Sequence, residues 1–116
     1  MKPAPPVTSD QFAAILFGGC RLVITDSGGV TEEASILGVP CVQARTVTDR
    51  PECCTAANAD GQYRGGGSVL GGNTTESISK AIQVALTIPR ERINRDIYGD
   101  GTASKQISEW LASIVQ

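Results

Sequence analysis

The chain has 116 residues, of which 41% are hydrophobic and 19% are charged, a balance typical of one soluble domain with a modest core. Its net charge of −2 and its pI of about 5.0 argue against a nucleic-acid partner, because binding to the phosphate backbone needs a basic protein surface. No apolar run is long enough to cross a bilayer, so the sequence also predicts no membrane partner.

Seven segments carry the apolar spacing of a helix or a strand, with turn-forming residues between them. Short unbroken apolar runs predict strands that are buried on both faces, as in a parallel sheet. Asn73 or Thr74 is expected to cap the third helix. In chain order the segments are a helix at 10–17, a strand at 22–24, a helix at 28–37, strands at 41–44 and 68–70, and helices at 75–86 and 103–115.

The alternation of these segments predicts an α/β fold with a parallel sheet. Three strands are few for such a sheet, which suggests that one side of it is missing. The last two helices are amphipathic, and each should bury one stripe of side chains. The stripes are Ile78, Ala81, Ile82, Ala85 and Leu86 in the third helix, and Ile107, Trp110, Leu111 and Ile114 in the last.

Histidine is absent, which removes the commonest metal ligand and the commonest general base. We therefore expect no metal site and no cofactor. The cysteines form no C-x-x-C pair, so we expect reduced thiols in a cytoplasmic protein. They are Cys20, Cys41, Cys53 and Cys54.

The stretch at 25–33 lies between a predicted strand and a predicted helix. In open α/β sheets ligands bind at the carboxyl ends of the strands, and a helix N-terminus offers N–H groups and partial positive charge. Gly28 and Gly29 lack a Cβ, so an anion can approach the backbone, while Ser27 can cap the helix and donate its hydroxyl. These features fit a diphosphate cradle. They also fit an ordinary capped helix with a glycine-rich turn, which is the simpler interpretation because a short Ser-Gly-Gly is a weak signal.

The two glutamates of this helix differ in their expected orientation. At about 100° per residue, Val30, Ala34 and Leu37 define the buried face, with Glu33 on its flank and Glu32 nearly opposite. A carboxylate on the flank needs a partner, either ribose hydroxyls or a nearby arginine. For Glu32 the simplest interpretation is that its charge complements the helix dipole.

Two arginines, Arg45 and Arg50, flank the carboxyl end of the strand at 41–44. Parallel strands would place that end beside the turn at Ser27. An arginine there can pair with a diphosphate. The alternative is a solvated arginine in a loop.

Three segments, in this order, resemble the signature of the UDP-N-acetylglucosamine 2-epimerase family. Their order and spacing make the resemblance more specific than any one segment does, and it covers the chain from about Phe12 to its end. The segments are LVITDSGGVTEEA at 22–34 followed by LGVP at 37–40, RTVTDRPE at 45–52, and YGDG-x-A at 98–103.

The family has the two-domain glycosyltransferase-B architecture, in which the C-terminal domain binds most of the UDP. The resemblance implies that residues 1–116 form one partial nucleotide-sugar-binding domain, the C-terminal half of that domain. Its fold would be three-layered α/β, half of a doubly wound Rossmann-like parallel sheet of about three strands flanked by helices.

The resemblance also assigns substrate-binding residues. It implies that Ser27, Gly28 and Gly29 contact the diphosphate of UDP or of a UDP-N-acetylhexosamine. Glu33 would hold the ribose, and Arg50 would lie in the same pocket. The family's isomerase reaction inverts C2 of UDP-GlcNAc to give UDP-ManNAc, by elimination of UDP and its re-addition.

The sequence also departs from the family. The proton-transfer acids and the active-site histidine of the family belong to segments outside this sequence, so we assign no catalytic residue and expect weak binding without catalysis. Asp49 replaces a glutamate, and Asp96-Ile97 replaces Asn-Pro. The segment at 53–67 is longer than usual.

Two hypotheses of different kinds follow. The chain is either a UDP-binding half-site of an epimerase or a free-standing binding or assembly module without nucleotide-sugar chemistry. The resemblance implies the doubly wound order 3-2-1-4-5-6, of which the chain would supply strands 4, 5 and 6, so the strand at 22–24 would lack its neighbour strand 1 on one side. Such an edge invites pairing, so we expect a homodimer through this edge or its adjoining helices. A monomer whose proline-rich N-terminus covers the edge is the alternative.

Overall fold

The structure is a computed structural model that describes residues 2–55 and 65–115. Helices and strands alternate along the chain as the sequence predicts, with 3₁₀ turns at Pro51–Cys53 and Arg90–Arg92. The elements are α1 (Ser9–Phe17), β1 (Val23–Thr25), α2 (Gly28–Leu37), β2 (Cys41–Gln43), β3 (Ser68–Leu70), α3 (Thr75–Leu86) and α4 (Ala103–Ile114).

The three strands form one parallel sheet in the order β1-β2-β3. Ile24 pairs with Val42, which in turn pairs with Val69, so the centres of the strands are in register. All three residues of the central strand β2 are buried. The central residues of the three strands are apolar, as expected for a parallel sheet that helices cover on both faces.

Helices cover the two faces of the sheet and make two separate cores. On one face α1 and α2 surround a cluster of Leu16, Ala34, Val39 and Cys41. On the other face α3 packs its small side chains against β2 and β3. That second cluster contains Val42, Ala81 and Ala85. The arrangement is the expected three-layered half of a Rossmann-like domain.

The helix α2 is held at both ends. Ser27 caps its N-terminus, and Gly38 ends it in the left-handed region at φ 68°. The guanidinium of Arg95 donates to the carbonyl oxygen of Ile36 at 2.8 Å, and that of Arg90 donates to the carbonyl oxygen of Gly38 at 3.2 Å. These bonds satisfy carbonyls that a helix end otherwise leaves without partners.

The predicted burial of α4 is wrong in this structure. Ile107, Trp110, Leu111 and Ile114 are between 46% and 62% exposed, and no residue of α4 is buried. Leu86 of α3, which was also expected inside, is 45% exposed. An amphipathic pattern marks which face of a helix is apolar, but burial requires a surface for that face to contact.

Smaller differences concern element ends. The first strand lies one residue later than the predicted 22–24, and most of the long segment predicted at 53–67 lies outside the described residues.

No helix in the described parts of the chain combines the length and the apolar character needed to cross a membrane.

Candidate functional site

The turn between β1 and α2 is fixed by two side chains. The N–H of Ser27 donates to the hydroxyl oxygen of Thr25 at 3.0 Å, which shapes the exit from the strand. The Ser27 hydroxyl accepts the N–H of Val30 at 3.4 Å, as a capping residue does. The predicted cap at Ser27 is therefore confirmed, and the helix N-terminus lies at the carboxyl end of the sheet.

Two glycines form the first residues of this helix. The first N–H groups of a helix have no acceptor inside it, so those of Gly28 and Gly29 are available to a ligand. A Cβ on Gly29 would meet only the Ser27 hydroxyl, at 3.8 Å, so the backbone there is open. A Cβ on Gly28 would lie 3.3 Å from the guanidinium of Arg50. The structure therefore places Arg50 directly beside the helix N-terminus, as parallel strands predicted.

A chain of hydrogen bonds anchors the loop that carries Arg50. Gln43 is only 2% exposed in the central strand, yet its amide is fully engaged: Nε2 donates to the Ser68 hydroxyl at 2.8 Å, and Oε1 accepts from the Thr48 hydroxyl. The same Thr48 oxygen accepts the backbone N–H of Arg50 at 2.9 Å. The backbone of Arg50 is thus tied to the sheet itself.

The guanidinium of Arg50 contacts two acids. Its Nε donates to Oε1 of Glu32, and its Nη1 lies 3.3 Å from Oδ2 of Asp49. The hydrogen bond to Glu32, aided by the charges of both acids, raises the pKa of Arg50 above its already high usual value. Arg45, the other candidate, pairs with Asp49 at 3.3 Å and does not contact the helix N-terminus among the described residues.

The orientation predicted for the two glutamates is wrong. The buried residues of α2 are Thr31, Ala34 and Ser35, which turns the buried face away from Glu33 and towards Glu32. Thr31 can be buried because its hydroxyl donates to the Ser27 carbonyl at 2.9 Å. A hydrophobic pattern does not mark such a residue, so the predicted face is off by about one position.

Glu33 has different surroundings from Glu32. It is exposed and borders a groove between α2 and the N-terminal segment, with Val7, Phe12 and Val30. In the described part of the chain its carboxylate has no ion pair, so the arginine partner considered for it is instead the partner of Glu32. Its carboxylate remains available to a ligand hydroxyl.

A second polar cluster joins the ends of two segments that carry the family resemblance, those at 45–52 and 98–103. The Tyr98 hydroxyl donates to Oε1 of Glu52 at 2.9 Å and lies 2.6 Å from the Cys53 sulfur. Burial, and then the bonds to Cys53 and Glu52, raise the pKa of Tyr98. Residue spacing did not predict this contact, because the partners are far apart in the chain.

Burial raises the pKa of three thiols. That of Cys41 rises to about 11, and those of Cys53 and Cys54 also rise. Because the thiolate is the nucleophilic form, these cysteines are poor nucleophiles near neutral pH. All four cysteines are free in the structure.

The fold and the glycine-bearing turn define a class: half of a Rossmann-like α/β domain with a helix N-terminus and an arginine at the carboxyl edge of its sheet. The chain matches the model of the UDP-N-acetylglucosamine 2-epimerase family over residues 3–112. It belongs to that family.

Individual relatives agree. The chain is 36% identical over 107 residues to the UDP-N-acetylglucosamine 2-epimerase of Methanocaldococcus jannaschii. That match covers 92% of this chain and 26% of the relative. It is 39% identical over 115 residues to the UDP-N-acetylglucosamine 2-epimerase of Bacillus subtilis, and that match covers 96% of this chain and 27% of the relative. The chain therefore spans about a quarter of the length of these relatives.

A solved structure shows the same fold. The crystal structure of the M. jannaschii enzyme in complex with UDP-GlcNAc and UDP superposes with a TM-score of 0.72 at 32% identity. The match covers 95% of this chain and 27% of that one. The three-layered architecture is therefore that of a family whose solved members include a nucleotide-sugar complex.

Proposed function

We propose that the chain is a UDP-binding half-site of a UDP-N-acetylglucosamine 2-epimerase. Ser27, Gly28 and Gly29 receive the diphosphate, Arg50 neutralises part of its charge, and Glu33 accepts the ribose hydroxyls. The observation that carries the proposal is the guanidinium of Arg50 beside Gly28, at a helix N-terminus that also attracts anions. The ligands named for the M. jannaschii complex support a UDP or UDP-N-acetylhexosamine partner.

Affinity should be low, because half a pocket buries only part of the ligand. A dissociation constant of about 1 mM corresponds to about −4 kcal/mol. At that affinity, about 10 mM UDP raises the free energy of unfolding by about 1.4 kcal/mol. Urea denaturation with UDP, and with uridine at matched ionic strength, measures this difference.

Arg50→Ala is the matched control for that measurement. It should fold, since the arginine side chain is partly exposed, and should lose the extra stabilisation by UDP over uridine. Equal stabilisation of the unmodified chain by UDP and uridine would favour the other hypothesis, a binding or assembly module without nucleotide-sugar chemistry.

The isomerase reaction is not expected from this chain alone. Abstraction of the proton at C2 needs a base within hydrogen-bond reach, and the residues at the carboxyl edge of the sheet serve the nucleotide. Incubation with UDP-GlcNAc followed by chromatography should give no UDP-ManNAc above a blank without protein. Product above the blank would show that the chain supplies its own base.

We also propose that two copies of the chain associate in the cytoplasm, where thiols stay reduced. Among the described residues β1 has a strand on one side only, and Ile24 in it is 50% exposed. A two-fold dimer through this edge or the helices beside it would cover the open strand. Sedimentation equilibrium should show a dimer at high concentration, whereas a single species of 12.1 kDa would exclude it.

A further inference from the structure

The guanidinium of Arg50 is bonded at two of its three nitrogen atoms. Its Nε donates to Glu32, and its Nη1 donates to the backbone oxygen of Asp49 at 3.1 Å as well as pairing with the Asp49 carboxylate. Within the described residues Nη2 has no acceptor. This nitrogen lies 3.3 Å from the place where a Cβ on Gly28 would be.

Net charge does not explain how such a site would hold an anion. Arg50 and Arg45 bring two positive charges, and Glu32 and Asp49 bring two negative ones, all joined in one group of ion pairs. Attraction of a diphosphate must then come from the direction of the N–H groups, as at a helix N-terminus. The side chain that fixes this direction matters as much as the arginine itself.

Glu32 is placed to fix it. It projects from α2, the same helix whose N-terminal N–H groups face the ligand, so its contact ties the guanidinium to that helix. Asp49 is next to Arg50 in the same loop and is 57% exposed at its side chain, against 36% for Glu32. A free arginine side chain has many rotamers, and ordering it on binding costs free energy.

We infer that Glu32 is a positioning residue for the nucleotide: its carboxylate holds Nε of Arg50 so that Nη2 points at the diphosphate beside Gly28 and Gly29. The inference rests on the proposed function, because it assigns a role within the same site. Glu32 itself does not contact the ligand.

The test compares UDP with uridine, which lacks the diphosphate. Glu32→Gln keeps the size of the side chain and removes its charge. It should weaken UDP binding about fivefold and leave uridine binding unchanged. Glu76→Gln is the matched control, since Glu76 pairs with Lys80 on the exposed face of α3 and should alter neither ligand.

An NMR signal reports the positioning directly. In the unmodified chain the Nε–H of Arg50 is hydrogen-bonded to Glu32, which should slow its exchange with water and make its resonance observable. It should broaden through exchange in Glu32→Gln and persist in Glu76→Gln. A role limited to the stability of α2 would move the unfolding midpoint without changing the preference for UDP over uridine.

The sign of the effect decides the inference. If Glu32 acts only as a competing negative charge, Glu32→Gln binds UDP more tightly, and tighter or unchanged binding overturns the inference. If Arg50→Ala leaves the preference for UDP intact, the proposed site fails before Glu32 is considered. Should Glu32→Gln not fold, Glu32→Asp keeps the charge but shortens the side chain that reaches Nε of Arg50, and about a twofold weakening of UDP binding with no change in uridine binding is then the required result.

Discussion

Two amphipathic helices, α2 and α4, have similar lengths and opposite surroundings. Helix α2 is capped by Ser27, ended by Gly38 and packed on the sheet through Ala34, which is fully buried. Helix α4 begins at Ala103, the preceding Thr102 makes no side-chain capping bond, and none of the residues of α4 is buried. The proposed site lies at the start of the helix that is fixed at both ends and along its length.

This difference shows what positions a ligand site in such a small unit. A helix N-terminus attracts anions only if it stays in place, and α2 is held by caps, by core contacts and by arginine bonds to its last carbonyls. The N-terminus of α4 has the same backbone groups without those restraints. Substitutions placed in matched positions of the two helices should therefore have unequal effects.

The largest expected difference is between the buried face of α2 and the exposed apolar face of α4. Ala34→Asp puts a carboxylate without a partner into the cluster under α2, and we expect a loss of about 3 kcal/mol or more. Leu111→Asp on the exposed face of α4 should change stability by no more than about 0.5 kcal/mol. Urea denaturation measures both. A large loss at Leu111 would mean that another surface covers α4 in solution.

The helix starts should differ less. Ser27→Ala removes the hydroxyl that accepts the N–H of Val30, and we expect a loss of about 1 kcal/mol. Thr102→Ala, at the uncapped start of α4, should lose less than about 0.5 kcal/mol. Equal losses, measured by thermal unfolding, would show that the bond at Ser27 contributes little.

The smallest expected effect on stability comes from the two glycines of α2, where stability and UDP binding should change in opposite directions. Gly29→Ala meets no close atom, so it should stabilise the fold by about 0.5 kcal/mol through the unfolded state. Its methyl group would occupy the space through which a ligand reaches the backbone, and it should weaken UDP binding. Gly28→Ala should gain less stability, because its Cβ lies 3.3 Å from Arg50. Stronger UDP binding by Gly29→Ala would argue against close backbone contact.

The sequence predicted those parts of the site that depend on topology alone. Parallel strands bring consecutive carboxyl ends together, so Ser27 and Arg50 could be placed near each other without a structure. The orientation of Glu32 and Glu33 could not, because Thr31 and Ser35 are polar residues that are nevertheless buried, Thr31 with its hydroxyl bonded to the Ser27 carbonyl.

Long-range side-chain contacts could not be predicted from the sequence either. The bond from Tyr98 to Glu52 joins residues that no periodicity relates, and it forms because the segment after α3 returns to the 3₁₀ turn that begins at Pro51. The exposure of α4 was missed for a related reason. Its pattern indicates an apolar face but contains no information about what lies against it.

The most direct test of the central claim is a titration with UDP followed through backbone amide NMR shifts. We predict that the largest shifts fall at Ser27, Gly28, Gly29 and Arg50, and that they saturate with a dissociation constant of about 1 mM. Largest shifts around Trp110 on α4, or no saturable shift at the start of α2, would contradict it.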